Sequence, residues 1–106
     1  MYSIGYYLSC YICGVRIRII RHAFKHGLTE RQIVAAFESG FNGATIRARD
    51  SGTEPQRFAT IGFDDQTRAI ELVFVRSEDG GQVAIFHARY ATKEFRREIA
   101  KGVHHG

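Results

Sequence analysis

Cysteine is scarce in this chain of 106 residues: Cys10 and Cys13, in the segment CYIC, are the only two. A Cys-x-x-Cys pair with no second pair is half of a zinc site at most, and no strand-helix-strand unit of thioredoxin type surrounds it. The pair therefore reads as two free thiols. Long apolar runs are missing too. The most apolar stretch, residues 1–14 (MYSIGYYLSCYICG), falls short of the roughly 20 residues that cross a bilayer as a helix. It has no Lys or Arg ahead of its apolar run and no small-residue cleavage pattern, which argues against a signal peptide. A cytoplasmic protein with no membrane partner is expected. There is no glycine-rich nucleotide loop, no Ser-His-Asp pattern, no paired-carboxylate signature, no internal repeat and no low-complexity tract.

Acids are absent from residues 15–26, which hold Arg16, Arg18, Arg21 and Lys25. Residues 85–101 are also biased, with Arg89, Lys93, Arg96, Arg97 and Lys101 against Glu94 and Glu98. The acids gather instead at Asp64–Asp65 and Glu78–Asp79. Over the whole chain the net charge is +4. Basic segments with acidic turns suit a phosphate-bearing partner, and equally suit a solvated charged surface.

Hydrophobic residues make up 44% of the chain and charged residues 25%, which is the balance of a soluble globular domain. The expected organisation is a single domain over 15–102, with a leader at 1–14 and a tail at 103–106. The leader reads as an added edge strand, a disordered leader, or an extension set by start-site choice. Residues 15–20 (VRIRII) alternate as a half-buried strand. RHAFKHG then allows one or two helical turns ended by Gly27. In LTERQIVAAFESGF, Thr29 and Gln32 form a capping box, Leu28 and Ile33 a hydrophobic staple, and Gly40 a helix stop. Ile33, Val34 and Phe37 are its buried stripe, with Phe41 beyond the stop.

Four strands follow, at 44–49, 56–63, 69–76 and 82–88, joined by turns at DSGTEP, DDQT and SEDGG. The runs Leu72–Val75 and Val83–Ala88 are apolar on both faces and read as central strands. No helix separates the four, so an antiparallel meander is expected. Thr92 caps a last helix with an apolar stripe at Phe95, Ile99 and Val103. The fold class is α+β: an antiparallel sheet of four to five strands, with N-terminal helices and a C-terminal helix packed on one face.

The candidate chemistry lies where the strand ends and the last helix begins. Arg89 is expected on the face shared by His87 and Ile85. The helix N-terminus at Thr92 favours anions. Lys93, Arg96 and Arg97 fall on one helical face and could reach the same phosphodiester. His87 is a second proton-transfer candidate or a satisfied rim histidine. His22 and His26, four apart, have metal-ligand spacing but no third ligand at an informative distance, so no metal is assigned. His26, beside Lys25, could instead move a proton.

The segments HAFKHGLTERQIVAAFES, RFATIGFDD and IFHARYATKEFRRE resemble the BrnT-type toxins of prokaryotic type II toxin–antitoxin systems. The resemblance is carried by Lys25-His26-Gly27 ahead of a capped helix, by Arg57 leading to Ile61–Gly62, and by Ala88, Arg89, Ala91 and Thr92 leading into a charged helix. It covers residues 16–100. Phe95 stands where that family usually has an acid, Arg96 matches its arginine, and His87 replaces a small residue. The resemblance implies a RelE-like fold and a ribonuclease that arrests growth by cleaving RNA with no metal or other cofactor. It also implies a cognate antitoxin from a neighbouring gene, bound in a hetero-oligomer. The expected catalytic residues are His26, Arg57, Arg89 and Arg96, with His87 a second acid–base candidate because it shares a strand face with Arg89, and with Lys25, Thr92, Lys93 and Arg97 holding RNA. Alternatives from another class are a non-catalytic binding module, or a degenerate toxin, whose basic face docks an acidic protein or nucleic acid.

Overall fold

The computed structural model describes residues 6–12, 14–41, 46–49 and 56–104, with side chains over 14–41, 46–49 and 56–101. The elements in chain order are β1 (Tyr6–Ile12), β2 (Val15–Ile20), a 3-10 turn (Arg21–Phe24), α1 (Glu30–Phe41), β3 (Arg47–Arg49), β4 (Arg57–Phe63), β5 (Ala69–Arg76), β6 (Gln82–Tyr90) and α2 (Lys93–His104). The cysteine side chains, residues 44–45 of the strand expected at 44–49, and the DSGTEP turn lie outside the described residues. The expected tail begins inside α2, which runs to His104.

The class is α+β, and the strands lie in the order β1-β2-β6-β5-β4-β3. From β3 to β6 the sheet is the expected antiparallel meander. At β2 the expectation is corrected: β2 pairs with β6 in parallel, so the sheet is mixed. The cause is the crossover after β2. The 3-10 turn and α1 carry the chain over one face to the far edge, and the meander returns to end beside β2. Residues 15–102 thus supply five strands, and β1 adds an edge strand antiparallel to β2.

The helices do not share a face, which is a second correction. One apolar layer joins Ile17 and Ile19 of β2, Ile33 and Phe37 of α1, Leu72 and Phe74 of β5, and Ile85 of β6. A smaller one joins Ala59, Val73, Phe95 and Ile99, with Ile61 and Phe86 against it, under α2. A central strand that is apolar on both faces needs a cover on each, and β5 has α1 on one side and α2 on the other. Phe37 is fully buried, edge-on to Phe74 at 5.2 Å. Burying such a side chain contributes about 1.5–3 kcal/mol.

The start of α1 is as expected. The Thr29 amide donates to Gln32 Oε1 at 3.0 Å, and the Gln32 amide to Thr29 Oγ1 at 3.1 Å. Leu28 and Ile33 are both buried. Gly40 is not the helix stop, because α1 continues to Phe41. Its role is proximity: a Cβ there would lie 2.8 Å from Thr60 Oγ1. Gly62 is tighter still, since its Cβ would lie 1.7 Å from the Ala36 carbonyl oxygen. The two glycines let α1 rest directly on the backbone of β4. Gly27, at φ +85°, does end the turn that precedes α1.

The hairpin between β4 and β5 is held by Asp64, which is buried rather than solvated. Its Oδ1 accepts from the amides of Gln66 and Arg68, each at 2.9 Å. Its Oδ2 accepts from Arg68 Nε at 2.9 Å and from Gln32 Nε2 at 3.2 Å. Gln32 also donates to the Tyr90 hydroxyl at 3.0 Å, which links α1, the hairpin and the end of β6. Burial pushes the Asp64 carboxyl up, but these donors outweigh it and lower the pKa to about 2.

Candidate functional site

The site forms where β2 stops and β6 continues. The last β2–β6 pair is Ile19 with Ile85. Beyond it the 3-10 turn packs along β6 and brings Lys25 and His26 to the sheet margin. In the next ladder, Phe74 pairs with Ile85 but Val73 pairs with His87. Phe86 is the extra residue of a bulge, a device that re-aims side chains at the margins of sites. The bulge corrects the expected alternation. Ile85 faces α1, whereas His87 and Arg89 share the opposite face with Val73 and Glu71, and Arg89 stands directly across from Glu71.

Glu71 is the centre of this group, and only 4% of it is exposed. Its Oε1 accepts from the Thr92 amide at 2.8 Å and from Thr92 Oγ1 at 3.0 Å. Its Oε2 lies 2.7 Å from His87 Nε2. Thr92 Oγ1 in turn accepts from the Phe95 amide at 3.2 Å, completing the cap of α2. A carboxylate of the protein itself therefore sits at the head of α2, where an external anion was expected, and both polar groups of Thr92 are committed to it. Sequence reasoning missed Glu71. The available signal was a single acid inside an otherwise apolar central strand, a place where a charge persists only with partners.

The His26 ring meets His87 edge-on, with centroids 5.6 Å apart and planes at 78°. Its pKa is lowered from the usual 6.5, first by lost hydration and then by the charges of Arg89, His87 and Lys25, with Glu71 opposing. The lowered pKa favours the neutral form of this exposed ring. Lys25 and Arg89 are exposed beside it. Two imidazoles, one oriented by a carboxylate and both flanked by cations, can move protons around a bound anion.

The other residues expected at the site lie elsewhere. Arg57 pairs with Val75 and Arg49, while the site row runs through Ile61, Glu71 and Arg89. Four residues along a strand separate Arg57 from that row, about 13 Å. Arg49 holds Glu98 at 3.2 Å and lies over the Phe95 ring at 5.5 Å, so it braces α2. On α2, Phe95 and Ile99 are buried against the sheet while Lys93, Arg96, Arg97 and Lys101 are exposed. At about 100° per residue, Lys93, Arg97 and Lys101 point away from the sheet, and Arg96 flanks the buried stripe. His22 is exposed on the 3-10 turn. Among the described residues no three His, Cys, Asp or Glu side chains cluster to hold a metal ion, and no helix is long and apolar enough to cross a membrane. No known family, curated protein or solved structure matches the chain.

Proposed function

We propose that the protein is an endoribonuclease toxin with a RelE-like domain, acting without a metal and held in check by a cognate antitoxin in the cytoplasm. The observation that carries this reading is the edge-on contact of His26 with His87, with Arg89 alongside. RNA cleavage by its own 2′-hydroxyl needs a proton acceptor, a proton donor and a stabiliser of negative charge. His26, neutral at pH 7, takes the 2′-hydroxyl proton. The freed oxygen attacks phosphorus, and the bond to the 5′-oxygen breaks. His87 returns a proton to that leaving oxygen, its positive charge balanced beforehand by Glu71. Arg89 and Lys25 face the charge that builds on the phosphoryl oxygens. The products are a 2′,3′-cyclic phosphate and a free 5′-hydroxyl. DNA, which has no 2′-hydroxyl, is not a substrate.

A second observation favours a docking role for α2. Its cations Lys93, Arg96, Arg97 and Lys101 are all exposed and suit an acidic segment of the antitoxin. In the alternative reading this binding is the whole function. The test is incubation of the purified protein with RNA in excess chelator, followed by analysis of the new ends. Cyclic phosphate ends are expected, and a single 2′-deoxy substitution at the cut site abolishes cleavage. Intact RNA together with tight binding of the neighbouring gene product would favour the binding module instead.

A further inference from the structure

We propose that Glu71 is a positioning residue that fixes the tautomer of His87, with hydrogen on Nε2 and the lone pair on Nδ1. The argument is one of hydrogen-bond direction. A backbone amide can only donate, so the 2.8 Å contact from Thr92 N makes Glu71 Oε1 an acceptor. The Thr92 hydroxyl accepts from the Phe95 amide and so gives its own hydrogen to the same oxygen. An ionised carboxylate has no hydrogen to offer at its other oxygen. At 2.7 Å from Oε2, His87 Nε2 must therefore be the donor. When the ring is neutral, Nδ1 is the only nitrogen left to exchange protons. Through Thr92 the same carboxylate holds the head of α2, so one buried side chain on the central strand sets both the helix and the imidazole.

The catalytic meaning of this tautomer rests on the ribonuclease reading above, but the tautomer itself does not. Glu71→Gln separates a positioning role from mere helix capping. The amide is the same shape, and its carbonyl must still face the Thr92 amide. Its NH2 group then faces His87 Nε2, which is forced to accept, and the hydrogen moves to Nδ1. The cap survives while the tautomer inverts.

The experiment is nitrogen-15 imidazole spectroscopy of the whole chain at a pH where His87 is neutral, with circular dichroism and melting as folding controls and RNA cleavage assayed in parallel. The wild type is expected to show His87 protonated at Nε2. Folded Glu71→Gln is expected to show Nδ1–H, with kcat reduced at least about 100-fold and KM little changed, since an amide cannot balance the imidazolium that gives up the proton. A wild type protonated at Nδ1 overturns the proposal even if the variant does not fold. So does a folded Glu71→Gln that keeps Nε2–H. A wild type with the Nε2–H tautomer that leaves RNA uncut overturns the ribonuclease reading and leaves the positioning assignment supported.

Discussion

Arg89 stands directly across the β5–β6 ladder from Glu71, yet the two do not pair: the carboxylate is taken by His87 and Thr92. Among the described residues Arg89 makes no ion pair, and its charge is felt instead by His26. The central strand thus places an uncommitted guanidinium next to two imidazoles at the sheet margin.

Arg89→Ala removes an exposed charge and opens no cavity, so the melting temperature should hold. RNA cleavage should slow by about 100-fold or more, the scale for losing one preorganised donor to the transition state. Arg89→Lys should recover only part, because an ammonium lacks the two-pronged geometry of the guanidinium. Arg97→Ala, opposite the buried stripe of α2, should change cleavage by no more than a few-fold and should instead weaken binding of an acidic antitoxin segment. Arg57→Ala should also cost less than Arg89→Ala. Single-turnover rates of the purified variants on one RNA check all four.

Gly62→Ala tests how α1 reaches the sheet. The added methyl would sit 1.7 Å from the Ala36 carbonyl oxygen, which is backbone and cannot rotate aside. Helix and strand must separate. Overpacking of this kind costs about 1–3 kcal/mol, and a contact this close should fall at or above the top of that range. Urea unfolding should show a lower midpoint with an unchanged slope. A Cβ at Gly40 would lie 2.8 Å from Thr60 Oγ1 and 3.3 Å from the Ile61 carbonyl oxygen, a milder clash than at Gly62, so Gly40→Ala should cost less.

Asp64 gives the fold an acid-sensitive point. Its carboxyl titrates at about 2 in the folded chain against an ordinary 3.8. A depressed folded pKa means the ionised form is favoured by folding. The stabilisation is fully present above pH 4, fades as pH falls through that window, and is gone below pH 2. Asp64→Asn should flatten the pH dependence of unfolding between pH 4 and pH 2 and lower stability at pH 7. Denaturant midpoints measured across that range check it.

The parts of this fold that are local were readable in the sequence. Thr29 and Gln32 find each other within one helical turn, and the box they form is determined by spacing alone. The strands at 56–63 and 69–76 carry their burial in their own pattern. What could not be read depends on partners far along the chain. Nothing in VRIRII says that its neighbour is β6, or that the pairing is parallel, because a crossover leaves no turn signature. The double-sided burial of Leu72 to Val75 did imply two covers, and α1 and α2 on opposite faces supply them. The bulge at Phe86 shifts His87 and Arg89 by one position, which strict alternation cannot foresee. Gly40 has the composition of a helix stop and serves a packing role that only the approach of Thr60 reveals. At the candidate site the His26 ring meets His87 edge-on, a contact between segments about 60 residues apart in the chain, whereas Arg97 is left outward because Phe95 and Ile99 claim the inner face of α2. Glu71 was overlooked because one acid in an apolar strand has meaning only once its three donors are in place.

The central claim is that His26 is the proton acceptor for RNA cleavage, and the pH–rate profile of kcat/KM measures it most directly. The neutral imidazole is the active form, and lost hydration and neighbouring cations hold its pKa below 6.5. Cleavage should therefore fall as pH drops through a midpoint below 6.5, with that acid limb missing from His26→Ala and its highest rate lowered by about 100-fold or more. A folded His26→Ala that cleaves RNA as fast as the parent, with the same profile from pH 5 to pH 8, would contradict the account.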